Sequence, residues 1–579
     1  MHPVKILSYN DTVTKVAIGI PIILLPMLYQ LDFCFYELTA STFLFAFLSL
    51  TLISVIIFQK NYLWRKNDIF VGLFFIWEVV RYLFSSVPND IFSLYDIVSM
   101  ALVYVWIRNT SSANAIFPAL FVGGIIQSFW GILQFAGILP SYHAYFGQTG
   151  CFNNPALWGI YSAMSFFCGM RLLQTQTRGV YKILTLAGTG ITLTGIALAH
   201  SRAAWLALAC SSAWVLLEPM RNFVSKKWNK KYTIATIVIL VLLLFALWGI
   251  YLIRPDSVKG RLLIYTVSFS MFRSAPWFGH GIASFAAEYM NHQASWFLSH
   301  PKSAFAIVAG NNHSAFNECT KIACEQGIIG LALFSLLVFH SIRTINTETR
   351  YPTGLSVMIF IFGMFSYPFE DVAVRYIFYF TVASMSNRTK IIGQITKVPR
   401  WMRYLASLIL LINVITIGME YWFCKTVEND LQKVTQEKLS ILAPCFVRYY
   451  QKLNTSPDFV SHYAEELYAK NYYREAIPVL NQIKELQCNE LVLIALGTCY
   501  QQEGEYDKAT EAFQLASRMT PAYILPRFHL FSLYQETGKM KEARQVAIEA
   551  LSMQVKIVNT TVLRARHTMR TYLDQIEKK

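Results

Sequence analysis

Residues 254–330 read RPDSVKGRLLIYTVSFSMFRSAPWFGHGIASFAAEYMNHQASWFLSHPKSAFAIVAGNNHSAFNECTKIACEQGIIG. Apolar runs flank this stretch, and it is the one long polar interruption before residue 400. It carries His280, His292, His300 and His313, with His340 just beyond. A long loop without structure of its own is uncommon inside a compact protein unless it is functional. Everything before it reads as membrane scaffold, and everything after residue 424 as a docking module.

Composition supports that division. Hydrophobic residues make up 55% of the 579 and charged residues 15%, against roughly 25% charged in soluble domains. A polytopic membrane protein follows. The net charge of +16 needs no nucleic acid, because cytoplasmic loops of such proteins are enriched in Lys and Arg. The ten cysteines form no CxxC pair, which argues against a zinc site or disulfide framework. The opening MHPVKILSYNDTVTK runs into apolar sequence without a small-residue cleavage site, so the first apolar segment is expected to be a retained span.

A spanning helix needs about 20 mostly apolar residues. Thirteen stretches qualify: 14–30, 36–58, 68–86, 92–107, 113–137, 155–173, 180–198, 202–218, 232–253, 320–341, 352–370, 371–387 and 403–423. Alternate connections hold Lys60, Arg65 and Lys66; Arg108; Arg171, Arg178 and Lys182; Arg221, Lys226, Lys227, Lys230 and Lys231; Arg343 and Arg350; then Arg388, Lys390, Lys397, Arg400 and Arg403. The connections between them (QLDFCFYE, SSVPND, PSYHAYFGQTGCFNNP and SYPFEDV) hold no Lys or Arg. Positive charge stays on the cytoplasmic side, so the loop 254–320 and the chain after the last span are expected outside.

From 425 to 579 the chain becomes charged and repeats itself. LGTCYQQEGEYDKATEAF (496–513) aligns with LFSLYQETGKMKEARQVA (530–547) at a period of 34, pairing Tyr500 with Tyr534, Gly504 with Gly538 and Ala509 with Ala543. A degenerate copy, LYAKNYYREAIPVL (467–480), fits at a period of 33. This is the tetratricopeptide period, with small residues where paired helices cross. Ordinary helical hairpins would give a similar pattern. Such repeats bind peptides or partner proteins.

Two arginines stand out on the outer side. Arg202, in LAHSRAAW, lies at the edge of a span, where ionisable groups are costly and often functional. Arg261 opens the helix-like GRLLIYTVSFSMF. A guanidinium suits a diphosphate, since its planar fork makes paired charge-assisted bonds and keeps its proton. The competing reading is a headgroup anchor, which Arg254 and Arg273 fit better. His313, in GNNHSAF, is a candidate general base, and Glu318 is its competitor. His280, His292 and His300 show no metal-ligand spacing. No DxD pair is present to hold a divalent ion against a diphosphate. Arg81, Glu370, Asp371 and Arg375 read as pairs within the bundle.

The order of elements resembles the O-antigen ligase superfamily of bacterial inner-membrane proteins: O-antigen ligases, O-antigen polymerases and O-linking protein oligosaccharyltransferases. The resemblance rests on GCFNNPALWGIY (150–161), HSRAAW (200–205), GRLLIY with PWFGHGIASF (260–285) and AFNECTKIACEQGIIGL (315–331). It implies metal-independent, inverting transfer, without a cofactor, of a glycan from a polyprenyl diphosphate to a hydroxyl on the outer face. Arg202 and Arg261 would grip the diphosphate. In the family a histidine precedes the first glycine of a GxxG by eleven residues, but here that position is Phe316, with His313 three residues earlier. Positions three apart share a helix face, so His313 can still serve, and Glu318 stays open.

The expected fold is all-α: a transmembrane bundle of about 12–13 spans over 1–424, with a periplasmic loop at about 254–320. A periplasmic tetratricopeptide-like solenoid over 425–579 completes it. The expected partners are the lipid-linked donor, a lipid or protein acceptor, membrane lipids and a protein at the repeats. Repeats favour a ligase or oligosaccharyltransferase, with a polymerase as the alternative. A glycolipid transporter is disfavoured because no matched halves occur, and a bare assembly scaffold because so large a bundle would be only an anchor.

Overall fold

The structure is a computed structural model that describes residues 11–577 apart from 29–35, 59–61, 89–90, 111–112, 142, 144–145, 176–178, 225–254, 344–348, 388, 396–397, 437–441 and 557. The apolar stretch 232–253 therefore lies outside the described residues. The other twelve stretches all fall on helices. In chain order α1 is Asp11–Leu28, α2 Tyr36–Phe58, α3 Lys66–Leu83, α4 Ile91–Arg108, α5 Ile116–Phe135, α6 Pro155–Thr175, α7 Gly179–Leu198 and α8 Arg202–Val224. Two further helices, α9 (Pro255–Ser274) and α10 (Ser284–Ser299), precede α11 (Glu318–Arg343), α12 (Arg350–Gly363), α13 (Val372–Ser386) and α14 (Arg400–Gln436). Among the described residues, α5, α6, α7, α11 and the 400–427 part of α14 are long and apolar enough to cross a membrane by length and composition. The chain is a multi-pass, all-helical membrane protein. Among the described residues one short ribbon, β1 (Tyr62–Arg65) antiparallel to β2 (Ile391–Ile395), joins the α2–α3 connection to the α13–α14 connection, with Tyr62 opposite Ile395.

Without a hydrophobic drive between helices in lipid, close backbone approach decides packing. Helices α5, α6 and α7 pack on one another, and Gly131 shows why: a Cβ there would lie 2.1 Å from the Trp158 ring. Trp158, Tyr161, Tyr376 and Phe378 are buried in the same core. Charges inside it are matched. Arg375 bonds Asp96, Arg108 meets Asp68 at 3.2 Å, Lys321 meets Glu370 at 3.2 Å, and Asp371 caps α13 through the Val374 N–H at 2.9 Å. Exposed Leu405, Leu408, Ile409, Ile412 and Ile415 line α14, the surface expected of a helix facing lipid.

The segment 254–320, read from sequence as a long loop with a helix-like start at Gly260, is largely helical. Helices α9 and α10 fill much of it, and a 3-10 turn at Ala304–Ile307 follows. Leu263, Ile264, Val267 and Met271 of α9 pack with Phe285, Tyr289, Met290 and Phe297 of α10. That i, i+4 spacing marks amphipathic helices too short on apolar residues to register as spans.

Beyond α14 come α15 (Leu442–Leu453), α16 (Pro457–Ala469), α17 (Tyr473–Leu486), α18 (Glu490–Gln502), α19 (Tyr506–Met519), α20 (Leu525–Glu536), α21 (Met540–Ser552) and α22 (Thr560–Glu577). From α16 onward each helix packs on the next. The repeated residues make repeated turns. Asn471, Gly504 and Gly538 all have positive φ, 63°, 79° and 73°, at the point where a glycine or asparagine ends a helix. The next amide, of Tyr472, Glu505 or Lys539, donates back to the carbonyl of Leu467, Tyr500 or Tyr534 at 2.9, 2.8 and 2.8 Å. Ala476, Ala509 and Ala543 are each fully buried where the hairpins close.

Candidate functional site

Helix α11 breaks at Gly327 (φ 69°, ψ −170°). A break in lipid-facing backbone leaves carbonyls that each cost several kcal/mol unless bonded, on the order of 2–7. The PWFGHG turn supplies partners. His280 N–H donates to Cys324 O at 3.0 Å and Gly281 N–H to Glu325 O at 2.8 Å, while Ile328 N–H returns a bond to Pro276 O at 2.9 Å. Trp77 Nε1 of α3 donates to Gln326 O at 3.2 Å, and Arg81 donates to Gly279 O at 3.1 Å. No side chain fits between the two backbones: a Cβ on Gly279 would lie 2.4 Å from the Glu325 carbonyl carbon, and one on Gly327 2.2 Å from Trp277 O. Two motifs far apart in sequence thus form one joint, which docks the outer segment on the bundle.

The outer segment also holds a cavity of about 420 Å³, whose lining includes Asp256, Arg261, Asn312, Phe316 and Lys556 with Ile264, Ile307 and Val308. The Arg261 guanidinium lies 5.7 Å from the centre of the Phe316 ring, in range for a cation–π contact. Burial pulls the Arg261 pKa below its ordinary value, Tyr265 opposes the fall, and the charge of Arg202 adds to it. The two arginines singled out from sequence are thus near enough to feel each other. A desolvated cation in the wall of a cavity suits an anion. Phe316 itself has φ 50°, and His200, two residues before Arg202, has φ 49°. Left-handed backbone at non-glycine residues costs about 1–3 kcal/mol and gathers at functional sites.

His313 lies at the surface of the same segment, its Nδ1 3.1 Å from the Gln487 side-chain nitrogen of the C-terminal helices. Desolvation by the surrounding chain lowers its pKa from the ordinary histidine value, and the Glu370 carboxylate opposes this. A lowered pKa keeps the imidazole neutral near pH 7, as a base requires. The helical argument for His313 fails: residues 311–317 are not helical, because Phe316 adopts positive φ and α11 begins only at Glu318. Sharing a face with position 316 therefore does not apply, and His313 stands on its own exposure. Glu318 is buried, with its Oε1 accepting the Phe369 N–H at 2.8 Å; neither it nor His313 lines the cavity, whose wall takes their neighbours Asn312 and Phe316. Glu318 sits where a carboxylate favours a helix start.

The structure also brings together residues whose spacing suggested nothing. His280, Glu288 and His292 place their ligand atoms within 4.8 Å of one another. Protein groups already engage Glu288, which takes His280 Nδ1 at 2.6 Å and the Ser86 hydroxyl at 2.5 Å. Lys556 and Gln487 were not legible as site residues, since both sit in connections between repeat helices and belong to no motif.

Residues 187–335 match the family model described as O-antigen ligase. That span includes Arg202, Arg261, His313, Glu318 and the joint at Gly327, and it takes in the motifs at 200–205, 260–285 and 315–331, while the motif at 150–161 lies before it. No curated protein matches the chain.

Proposed function

We propose that this chain, a member of the O-antigen ligase superfamily through its domain at 187–335, moves a glycan from a polyprenyl diphosphate to an acceptor hydroxyl at the periplasmic face of a bacterial inner membrane. The observation that carries the reading is Arg261, set in the wall of a cavity in the outer segment, with the charge of Arg202 acting on it. The alternation of Lys and Arg between connections supports the orientation.

The two guanidinium groups hold the diphosphate and stabilise the charge that grows on it. His313 takes the proton of the acceptor hydroxyl. The acceptor oxygen bonds to C1 on the face opposite the departing oxygen, the C1–O bond to the diphosphate breaks, and its electron pair stays on the diphosphate beside the arginines. The configuration at C1 inverts. Neutralisation by fixed arginines takes the place of a divalent ion, so the reaction runs without added metal. Glu318, already bonded to Phe369, is the lesser candidate for the base. The C-terminal repeats are of the tetratricopeptide kind, and they favour a ligase or a protein oligosaccharyltransferase, in which a protein partner or acceptor meets the module. A polymerase is the second reading and requires no such groove.

The test is transfer from purified lipid-linked glycan in the presence of chelator. Arg202→Ala and Arg261→Ala are each expected to lose about 10²–10³ in kcat, the scale of one group removed from a developing charge. His313→Ala should lose more than Glu318→Ala. Wild-type rates in folded arginine variants, or loss of wild-type activity to chelator, would sink the mechanism.

A further inference from the structure

The C-terminal module does not hang free of the cavity. Its α19 packs on α10 of the outer segment, and Ala516 and Met519 share one core with Leu263, Phe285 and Tyr289. Gln293 of α10 donates to Met519 O at 2.6 Å and to Gly310 O at 3.2 Å. At the rim of this interface the connection between α21 and α22 is pinned by Lys556 N–H to Ala522 O at 3.2 Å, and its side chain turns into the cavity. Lys556 Nζ donates to Val308 O at 3.1 Å and Ala309 O at 2.8 Å. An ammonium has three donors, and the carbonyls take two of them. The Tyr523 ring centre stands 5.7 Å away.

We propose that Lys556 is a donor-binding residue: the C-terminal module supplies, through its ammonium, a third cation for the diphosphate of the lipid-linked glycan, beside Arg261 and Arg202. This deepens the function proposed above and rests on it. Electrostatics agrees. The charged groups at this place are Arg261, Asp256 and Lys556 on the cavity wall, with the buried Glu490 behind. Burial lowers the Lys556 pKa and Glu490 opposes the fall, so an arriving dianion would offset a desolvation already incurred. Asp256 is the one acidic side chain on the wall and leaves it net positive. On this reading the module is a wall of the active site as well as a surface for partners, and a chain lacking it would lose donor affinity.

The experiment uses the full-length protein and its native lipid-linked donor, with Lys556→Gln, Lys556→Arg and Lys556→Ala beside Arg261→Ala. Glutamine keeps two N–H donors for the carbonyls and removes only the charge. Lys556→Gln is expected to melt with wild type, to raise KM for the donor about tenfold with little change in kcat, and to weaken inhibition by inorganic pyrophosphate in step, the scale of one charge-assisted bond. Lys556→Arg should stay near wild type. If Lys556→Gln keeps the wild-type KM and pyrophosphate inhibition while Lys556→Ala loses stability, the lysine only pins the loop and the inference is overturned. If Arg261→Ala retains full transfer, the diphosphate reading itself has failed. Loss in Arg261→Ala with none in Lys556→Gln removes the role of Lys556 alone.

Discussion

His313 and Gln487 meet across two parts of the chain, and their contact has a consequence that can be titrated. A base must be neutral to act, so transfer falls as pH drops through the His313 pKa. Gln487→Glu would set a carboxylate at Nδ1, favour the imidazolium and raise that pKa by about one unit or more. The acidic limb of the kcat/KM profile should then move to higher pH, while Gln487→Ala, which removes only a neutral amide donor from Nδ1, should leave its position nearly unchanged. A limb that stays fixed in Gln487→Glu would remove His313 as the base. A second titration concerns stability. The hydrogen bond that His280 donates to Glu288 raises the His280 pKa above 6.5, so its contribution is complete below that value and is lost as pH rises through the raised one. Burial pushes the Glu288 pKa up, but the bonds from His280 and Ser86 bring it net below 4.5, so its contribution is lost only as pH falls through that lower value. Wild type should exceed Glu288→Gln in stability most between about pH 4.5 and 6.5, by roughly 1 kcal/mol, read as a higher melting temperature there. An equal difference at pH 9 would contradict the pairing. At this scale Arg202 and Arg261 could be singled out as candidates because the four short connections expected outside hold no Lys or Arg. Lys556 could not, because a lysine between two amphipathic helices is what solvent exposure alone would produce.

Helices were legible wherever a single window of hydropathy decides them, as for α2, whose bounds coincide with the stretch 36–58. The outer segment was harder. In α9 and α10 the apolar residues form one stripe, and their mean apolarity is too low to mark a span, so only period distinguishes helix from loop. The break in α11 was hidden for another reason. Glycine is tolerated in a helix at about 1 kcal/mol, and nothing local tells that Gly327 faces a turn some fifty residues away rather than lipid. The joint makes an uneven prediction. Gly327→Ala places a Cβ 2.2 Å from Trp277 O at φ 69°, so strain and overlap together should cost about 3 kcal/mol or more. Gly190→Ala, where nothing lies within 4 Å, should be neutral or stabilise by up to about 1 kcal/mol. Melting in detergent measures both. Equal behaviour would mean that the turn and the break do not hold each other.

At the scale of the whole molecule, the sequence suggests two parts but nothing of their contact. Hydropathy marks the bundle and a period of 34 marks the repeats, but a shared core between two helical faces leaves no pattern in either. Met519 is fully buried in that core with Ala516, Tyr289 and Phe285, far along the chain from every residue assigned to chemistry. Truncating it should cost about 2–5 kcal/mol at the interface. If the module were a tether for partners, Met519→Ala would leave transfer from the lipid-linked donor untouched as long as both parts stay folded. If the module forms a wall of the cavity, the same change loosens the 304–317 segment through Gln293 and Lys556 and raises KM for the donor. Hydrogen exchange separates the two cases. Faster exchange at 304–317 together with a raised KM ties the module to the site, whereas unchanged exchange and unchanged transfer would return the repeats to a docking role and leave the membrane domain to work alone.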